Sequence, residues 1–169
     1  SSISLNCVPD KIILFVRKAM SSQTNADSDA FLVINQLSIN FNNASGLLAS
    51  ATQNQLWTMA VEAGSSQSFQ EFSGFASSYV SPTSRGAVPL SGSLIMLDFS
   101  KHIQLPSYLA PSSLGNFVLN ISLNVANQGS VDIPQSEIVL ITMNSGIFKT
   151  ERGSSSVYTG ILGKQSVLD

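Results

Sequence analysis

Apolar and polar residues alternate along much of this chain with a period of two. Ile3, Leu5 and Cys7 alternate with polar neighbours, and Pro9-Asp10 then breaks the pattern. The unbroken run Ile12-Ile13-Leu14-Phe15-Val16 follows and predicts a strand buried on both faces, ended by Arg17-Lys18. The polar stretch from Ser21 to Asp29 predicts a loop. Beyond it Val33, Leu37, Ile39 and Phe41 keep odd parity, with Asn35 interrupting the apolar row. The cleanest alternation is Phe117, Leu119, Ile121, Leu123 and Val125 against Asn120, Ser122 and Asn124, with Val118 as its exception. One face of that strand packs inward while the other meets solvent or a neighbour. Shorter strands are predicted at Phe69 to Phe75, Leu94 to Phe99, Ile138 to Met143 and Val157 to Leu162.

One segment changes period. Ser50-Ala51-Thr52-Gln53 has the form of a capping box, and Gly64 can close a helix in a left-handed conformation. Between them Leu56, Met59, Ala60 and Ala63 share a face, with Trp57 on its flank. The segment predicts one short crossover helix, about Ser50–Ala63, whose apolar stripe is core rather than a ligand site. Ser77 to Gly92, with two prolines and two glycines, predicts an extended loop. Pro106 and Pro111 bracket a second irregular segment. About eight strands with one helix predict an all-β sandwich, of which the eight-stranded jelly roll is one form. The alternation by itself does not separate it from other sandwiches.

Composition narrows the function more than the fold. With 169 residues and 43% apolar content the chain closes one substantial core, so residues 1–169 read as a single domain. Only 11% of residues are charged, and the polar remainder is mostly Ser, Asn, Gln and Thr. Hydroxyls and amides are satisfied across a protein contact at a lower desolvation cost than charges are. The net charge is −2 and Arg17-Lys18 is the only adjacent basic pair, which argues against direct nucleic-acid binding. No apolar run approaches the ~20 residues that cross a bilayer, so membrane insertion is not predicted. The start, SSISLNCVPD, lacks the basic-then-apolar plan of a signal peptide. One cysteine, Cys7, and one histidine cannot make an internal disulfide or a structural zinc site, and Cys7 reads as a small core residue.

Candidate chemistry is sparse. His102 is the only base for a Ser-His-Asp triad, and no G-x-S-x-G elbow surrounds any serine. Glu62, Glu71, Asp98, Glu137 and Glu151 show no spacing diagnostic of paired carboxylates. Phosphate-binding glycine loops, H-E-x-x-H and EF-hand patterns are missing. No catalytic, cofactor-binding or metal residue is therefore predicted, and an enzyme is not. The sequons at Asn43 and Asn120 read as unmodified, Asn120 lying inside a predicted strand.

Several phrases in series carry a resemblance: VPDKIILFVRK, INFNNASGLLASATQNQLWTMAV, SGSLIMLDFSKHIQLPSYLAPSSLGNFVLNISLNVANQ and EIVLITMNSGIFKTERGSSSVYTGIL. Together they resemble the C-terminal jelly roll of double-jelly-roll major capsid proteins, of the virophage and polinton-like type. That resemblance implies two jelly rolls in tandem, three copies forming a pseudo-hexagonal capsomer, and capsomers tiling an icosahedral virion assembled inside the infected host cell. Further capsomer–capsomer contacts, penton proteins and minor capsid proteins are the implied partners. This chain would then be one half of its working subunit, with its first strand, near Ile3 to Cys7, truncated or borrowed from the missing half, which would leave an exposed edge in isolation. A carbohydrate-binding jelly roll of lectin or fibre type is the alternative. It requires clustered aromatics, whereas Trp57, Tyr79 and Tyr108 lie far apart in sequence.

Overall fold

The fold was analysed in a computed structural model, which describes residues 1–25, 31–42, 44–103, 105, 109–127 and 135–159; for 44–47, 49 and 50 the backbone alone is described. In chain order the elements are β1 (Ser2–Cys7), β2 (Lys11–Lys18), a 3₁₀ turn (Met20–Ser22), β3 (Val33–Phe41), β4 (Ala44–Thr52), α1 (Gln53–Glu62), α2 (Phe69–Ser73), β5 (Phe75–Ser81), β6 (Ser84–Pro89), β7 (Leu94–Asp98), β8 (Leu114–Ala126), β9 (Ser136–Met143), β10 (Gly146–Glu151) and β11 (Ser154–Thr159).

A four-stranded sheet in the order β1-β8-β3-β4 faces a three-stranded sheet in the order β7-β2-β9, and β5-β6 and β10-β11 form separate two-stranded ribbons. The strand pairs in both sheets are antiparallel. Among the described residues the two sheets thus hold seven strands, where the alternation predicted eight.

The inward residues of both sheets merge into one core. Ile12, Leu14 and Val16 of β2 and Ile95 and Leu97 of β7 meet Ile34, Leu37, Ile39 and Phe41 of β3 and Phe117, Leu119 and Ile121 of β8. Phe41 sits at the centre, edge-on to Phe99 and stacked on Phe117 at centroid distances of 5.7 and 5.3 Å. The interruption at Asn35 is a β-bulge. Ile34 opposes Val125 and Gln36 opposes Asn124, which leaves the exposed Asn35 unpaired and lets both Val33 and Ile34 be buried.

Four local expectations are corrected. The helix begins at Gln53, and its capping box is Thr52 with Gln55 rather than Ser50 with Gln53, because β4 stays paired with β3 as far as Thr52. The capping-box form therefore picked the right turn but the wrong register. Leu56 and Ala60 do face the core, and Gly64 does take a positive φ of 113°. Phe69 to Phe75, predicted as a strand, opens with α2: Ser68 caps the Glu71 amide, Glu71 reaches back to Ser68, and Gly74 ends the helix at φ 85°. Ser77 to Gly92, predicted as a loop, is mostly the β5-β6 ribbon, whose ladder runs from Phe75–Pro89 to Ser81–Ser84. The strand predicted at Val157 to Leu162 is Ser154–Thr159, with residues 160–162 outside the described residues, and its partner β10 carried no expectation.

The loop predicted from Ser21 opens with the 3₁₀ turn, and its remainder falls partly on residues 26–30, outside the described residues. Asn43, Pro106, Ser107 and Tyr108 also lie outside them.

Candidate assembly surfaces

Residues opposed across an antiparallel ladder share a face, so the register gives the outer surface of each sheet. On the four-stranded sheet, Ser2 opposes Asn120, which opposes Asn40; Ser122 opposes Ser38; Asn124 opposes Gln36. Among the described side chains of these rows the outer face is hydroxyl and amide, with Val118 an apolar exception. On the three-stranded sheet the outer rows are Met96–Ile13–Ile141 and Leu94–Phe15–Val139. Charges bound those rows at both ends: Lys11 lies between Asp98 and Met143, and Arg17 opposes Glu137 with an ion pair of 2.7 Å. Phe31 covers part of Phe15 at a ring distance of 4.7 Å. Ile141 and Met143 are both 47% exposed. The run Ile12 to Val16, predicted as buried on both faces, is fully buried on its core face and half-buried on the other.

The two sides of the sandwich also differ. At the β7 edge α1 closes the core, and Gln67 binds the sheet margin, accepting from the Leu94 amide at 3.2 Å and donating to the Gly92 carbonyl at 3.0 Å. Trp57 donates its indole N–H to the Gln67 carbonyl at 3.0 Å and meets Phe69 edge-on. Nothing in the sequence marked Gln67, since its role depends on β7 lying beside it. The outer edges of β9 and β1 pair with no strand among the described residues. Between them a cleft of about 340 Å³ opens, lined in part by Val16, Leu123, Val125 and Ile138. A second cleft, about 380 Å³, lies at the root of the β5-β6 ribbon beside Val33, Asn35, Phe75 and Pro89.

The β10-β11 ribbon stands apart from this body. Arg152 and Gly153, at φ 46° and 85°, form its two-residue turn. Its root is held firmly: Ser145 donates from its amide and hydroxyl to the Asp10 carboxylate, and the Cys7 thiol meets the Asn144 side chain at 3.3 Å. Beyond the root every residue of both strands is exposed.

The residues considered for chemistry have structural partners. The His102 ring accepts the Asp98 amide at Nδ1 (3.0 Å) and meets Glu62 at Nε2 (3.3 Å), tying the end of α1 to the turn after β7. Ser100 donates to Asp98, not to His102, so the three residues make no nucleophile–base pair. The Ser100 hydroxyl holds the Asp98 carboxyl below its ordinary value against the opposing effect of burial, with smaller contributions from the Ser100 amide, Lys11 and Lys101. Ser68, through its amide and then its hydroxyl, lowers Glu71 in the same way. Glu137 pairs with Arg17, and Glu151 with Lys149 at 3.4 Å. Among the described residues no three His, Cys, Asp or Glu side chains converge as metal ligands. Of the aromatics weighed for sugar binding, Tyr79 lies under Arg85 on the β5-β6 ribbon and Trp57 is packed on α1, while Tyr108 lies outside the described residues. Asn120 lies in mid-sheet between Ser2 and Asn40.

Comparison with known proteins gives a consistent picture. Residues 1–146 match the family model described as the major capsid protein V20 C-terminal domain, a segment that ends where the ribbon begins. The putative capsid protein V20 of Sputnik virophage is 25% identical over 178 residues, covering 99% of this chain but 29% of that protein. The fold superposes on a chain of the cryo-EM structure of the Sputnik virophage with a TM-score of 0.83 at 25% identity, covering 100% of this chain and 35% of that one. It also matches the crystal structure of the mavirus major capsid protein, at TM-score 0.77 and 17% identity, covering 99% and 35%. The chain therefore spans about a third of the length of the relatives it resembles.

Proposed function

The chain belongs to the family of the major capsid protein V20 C-terminal domain, and from that membership we propose that it is the C-terminal jelly roll of a larger, two-jelly-roll subunit. Its family is one of structural capsid proteins rather than enzymes, and its place is the virion capsid. In the proposed assembly three subunits form a pseudo-hexagonal capsomer, and capsomers meet one another, pentons and minor capsid proteins. Assembly takes place inside the infected host cell.

The observation that carries this reading is the outer face of the three-stranded sheet. Six apolar side chains in two adjacent rows line the outer face of this sheet, Ile141 exposed and the other five partly buried, on a domain that has its own core. Such a face marks a contact with another protein surface. The low charge of the chain keeps long-range repulsion between copies small. A chain about a third as long as its relatives leaves room in the subunit for a second jelly roll to lie against it.

Light scattering on the full-length subunit tests the proposal. A trimer at micromolar concentration, seen as hexagonal capsomers by negative stain, is the expected result. A stable monomer would sink it.

A further inference from the structure

We propose that the segment of the full-length subunit immediately upstream of Ser1 continues β1 along β8 as far as Ala126 and closes the cleft between β1 and β9. The proposal rests on the reading of this chain as part of a longer subunit and deepens it by naming the edge through which the remainder is attached.

Strand β8 is longer than the partner it has on this side. On its other side β3 pairs with it as far as Ala126, whereas β1 reaches only the level of Ile121. The ladder is intact where β1 stops. The Ser1 amino group donates to the Ile121 carbonyl and the Ile121 amide donates to the Ser1 carbonyl, both at 2.8 Å. This is the reciprocal pair of an antiparallel ladder, so the β1 backbone is aimed along the bare part of β8. Burial changes at the same boundary. The inward side chains Phe117, Leu119 and Ile121 are 6%, 0% and 3% exposed, while the next two, Leu123 and Val125, are only half-buried. With Val16 and Ile138 those two line the cleft of about 340 Å³.

The register assigns a partner to each upstream residue. Ser2 opposes Asn120 and Ser1 opposes Ile121, so the preceding residues, counted back from Ser1, oppose Ser122, Leu123, Asn124, Val125 and Ala126 in turn. The second and fourth share the inward face of Ile3 and Leu5, which pack against the core, and there they cover Leu123 and Val125. Apolar side chains fit those two positions. The first and third join the outer rows beside Ser122–Ser38 and Asn124–Gln36, where hydroxyls and amides fit. Hydrogen bonding agrees. The Ile121 amide points toward β1, and alternation along β8 turns the Leu123 and Val125 amides the same way, toward carbonyls that the extension supplies.

Continuity selects this occupant over others. The upstream segment needs no loop to reach the cleft, because it is already in register and hydrogen-bonded at Ser1. The chain spans about a third of the length of its relatives, so the subunit has residues to supply it. A strand built into the sandwich also ties the remainder of the subunit to a fixed point beside Ala126, which a flexible tether would not do.

Disulfide mapping in the full-length subunit, in a Cys7→Ser background, tests the pairing. The residue before Ser1 is changed to cysteine and combined with Ser122→Cys, its non-hydrogen-bonded partner at a Cα distance of roughly 4.5 Å, or with Ser38→Cys, one strand further on at roughly 9–10 Å. Only the first distance lets a disulfide close. Mild oxidation and peptide mass spectrometry should find the link to Ser122→Cys and none to Ser38→Cys. Absence of the first link, or equal yields of both, overturns the strand proposal; if the same protein is a trimer by light scattering, the capsomer reading survives. Amide exchange gives a second readout. Proline at the second upstream position should speed exchange of the Leu123 and Val125 amides at least tenfold and that of Leu119 less than twofold. Slow exchange that the proline leaves unchanged would put another segment on this edge, such as residues 128–134 or 160–169, and overturns the proposal as well.

Discussion

Across the four-stranded sheet the register lines up Ser2, Asn120 and Asn40, then Ser122 with Ser38; across the three-stranded sheet it lines up Met96, Ile13 and Ile141, then Leu94, Phe15 and Val139. Both sheets bury their inward residues in the same core. They differ in what the other half of the alternation is for. Hydroxyl and amide rows can be satisfied by water. Apolar rows gain roughly 25 cal/mol for each Å² removed from water, which is why the proposed assembly places its contact on the second sheet. A strand apolar at both parities therefore marks where a domain continues into its assembly.

The largest expected effect lies where the two sheets do not differ. Phe41→Ala removes a ring wedged between Phe99 and Phe117 and should cost about 3–5 kcal/mol in urea unfolding, with both sheets melting together. A loss below about 1 kcal/mol would mean that the sheets do not share one core. Next comes the comparison itself. Ile13→Ser with Ile141→Ser should weaken self-association of the full-length subunit at least tenfold, about 1.4 kcal/mol. Asn120→Ser with Ser38→Ala, on the other sheet, should change it less than about twofold, within ~0.4 kcal/mol. Equal effects by analytical ultracentrifugation would erase the distinction drawn between the faces. A smaller effect on the body is expected from Gly146→Ala. It should leave the unfolding midpoint within ~0.5 kcal/mol, because the ribbon does not pack on the sandwich. The same change should abolish amide-exchange protection in β10 and β11 alone.

The smallest effect is the acid limb of stability. Asp98 ends the β7 column of the apolar face, and its folded carboxyl titrates below its ordinary value. Its contribution is complete above the unfolded aspartate value, roughly pH 4, and is lost as pH falls through the lower folded value. Asp98→Asn should lower neutral stability slightly, by the contribution the carboxylate makes there, and so flatten the curve below about pH 4. An acid limb as steep as the parent's, followed by circular dichroism, would show that other carboxylates govern it.

Much of the architecture was legible in the residues. The period of two in Phe117 to Val125 placed β8 with its inward and outward faces correctly assigned. The apolar run Ile12 to Val16 located a central strand, and Asn35 marked a break that became a bulge. The ribbons were not legible, for reasons that differ. Ser77 to Gly92 carries prolines and glycines, yet Pro89 ends its strand and Gly86 fits where a Cβ would press on Ser78 and Val80, so the breakers serve the hairpin. The Arg152-Gly153 turn was a readable hairpin signal, but the strands beside it lack a buried face, and burial is what gives alternation its meaning. Phe69 to Phe75 misled because a five-residue helix is too short to display its period against the aromatic strand signal.

The sequence by itself determined the all-β class, the single core, the first of the two helices between β4 and β5, and, through ordered phrases, membership among capsid proteins. Those are properties of local pattern and composition, which each residue carries wherever the chain goes. Only the tertiary structure decided which apolar residues remain uncovered. Ile141, Phe148 and Val157 look like core residues in sequence, and they are exposed because register and sheet order set them on outer faces. Burial is a property of the neighbours a residue acquires, and the sequence pattern alone does not say which neighbours those are.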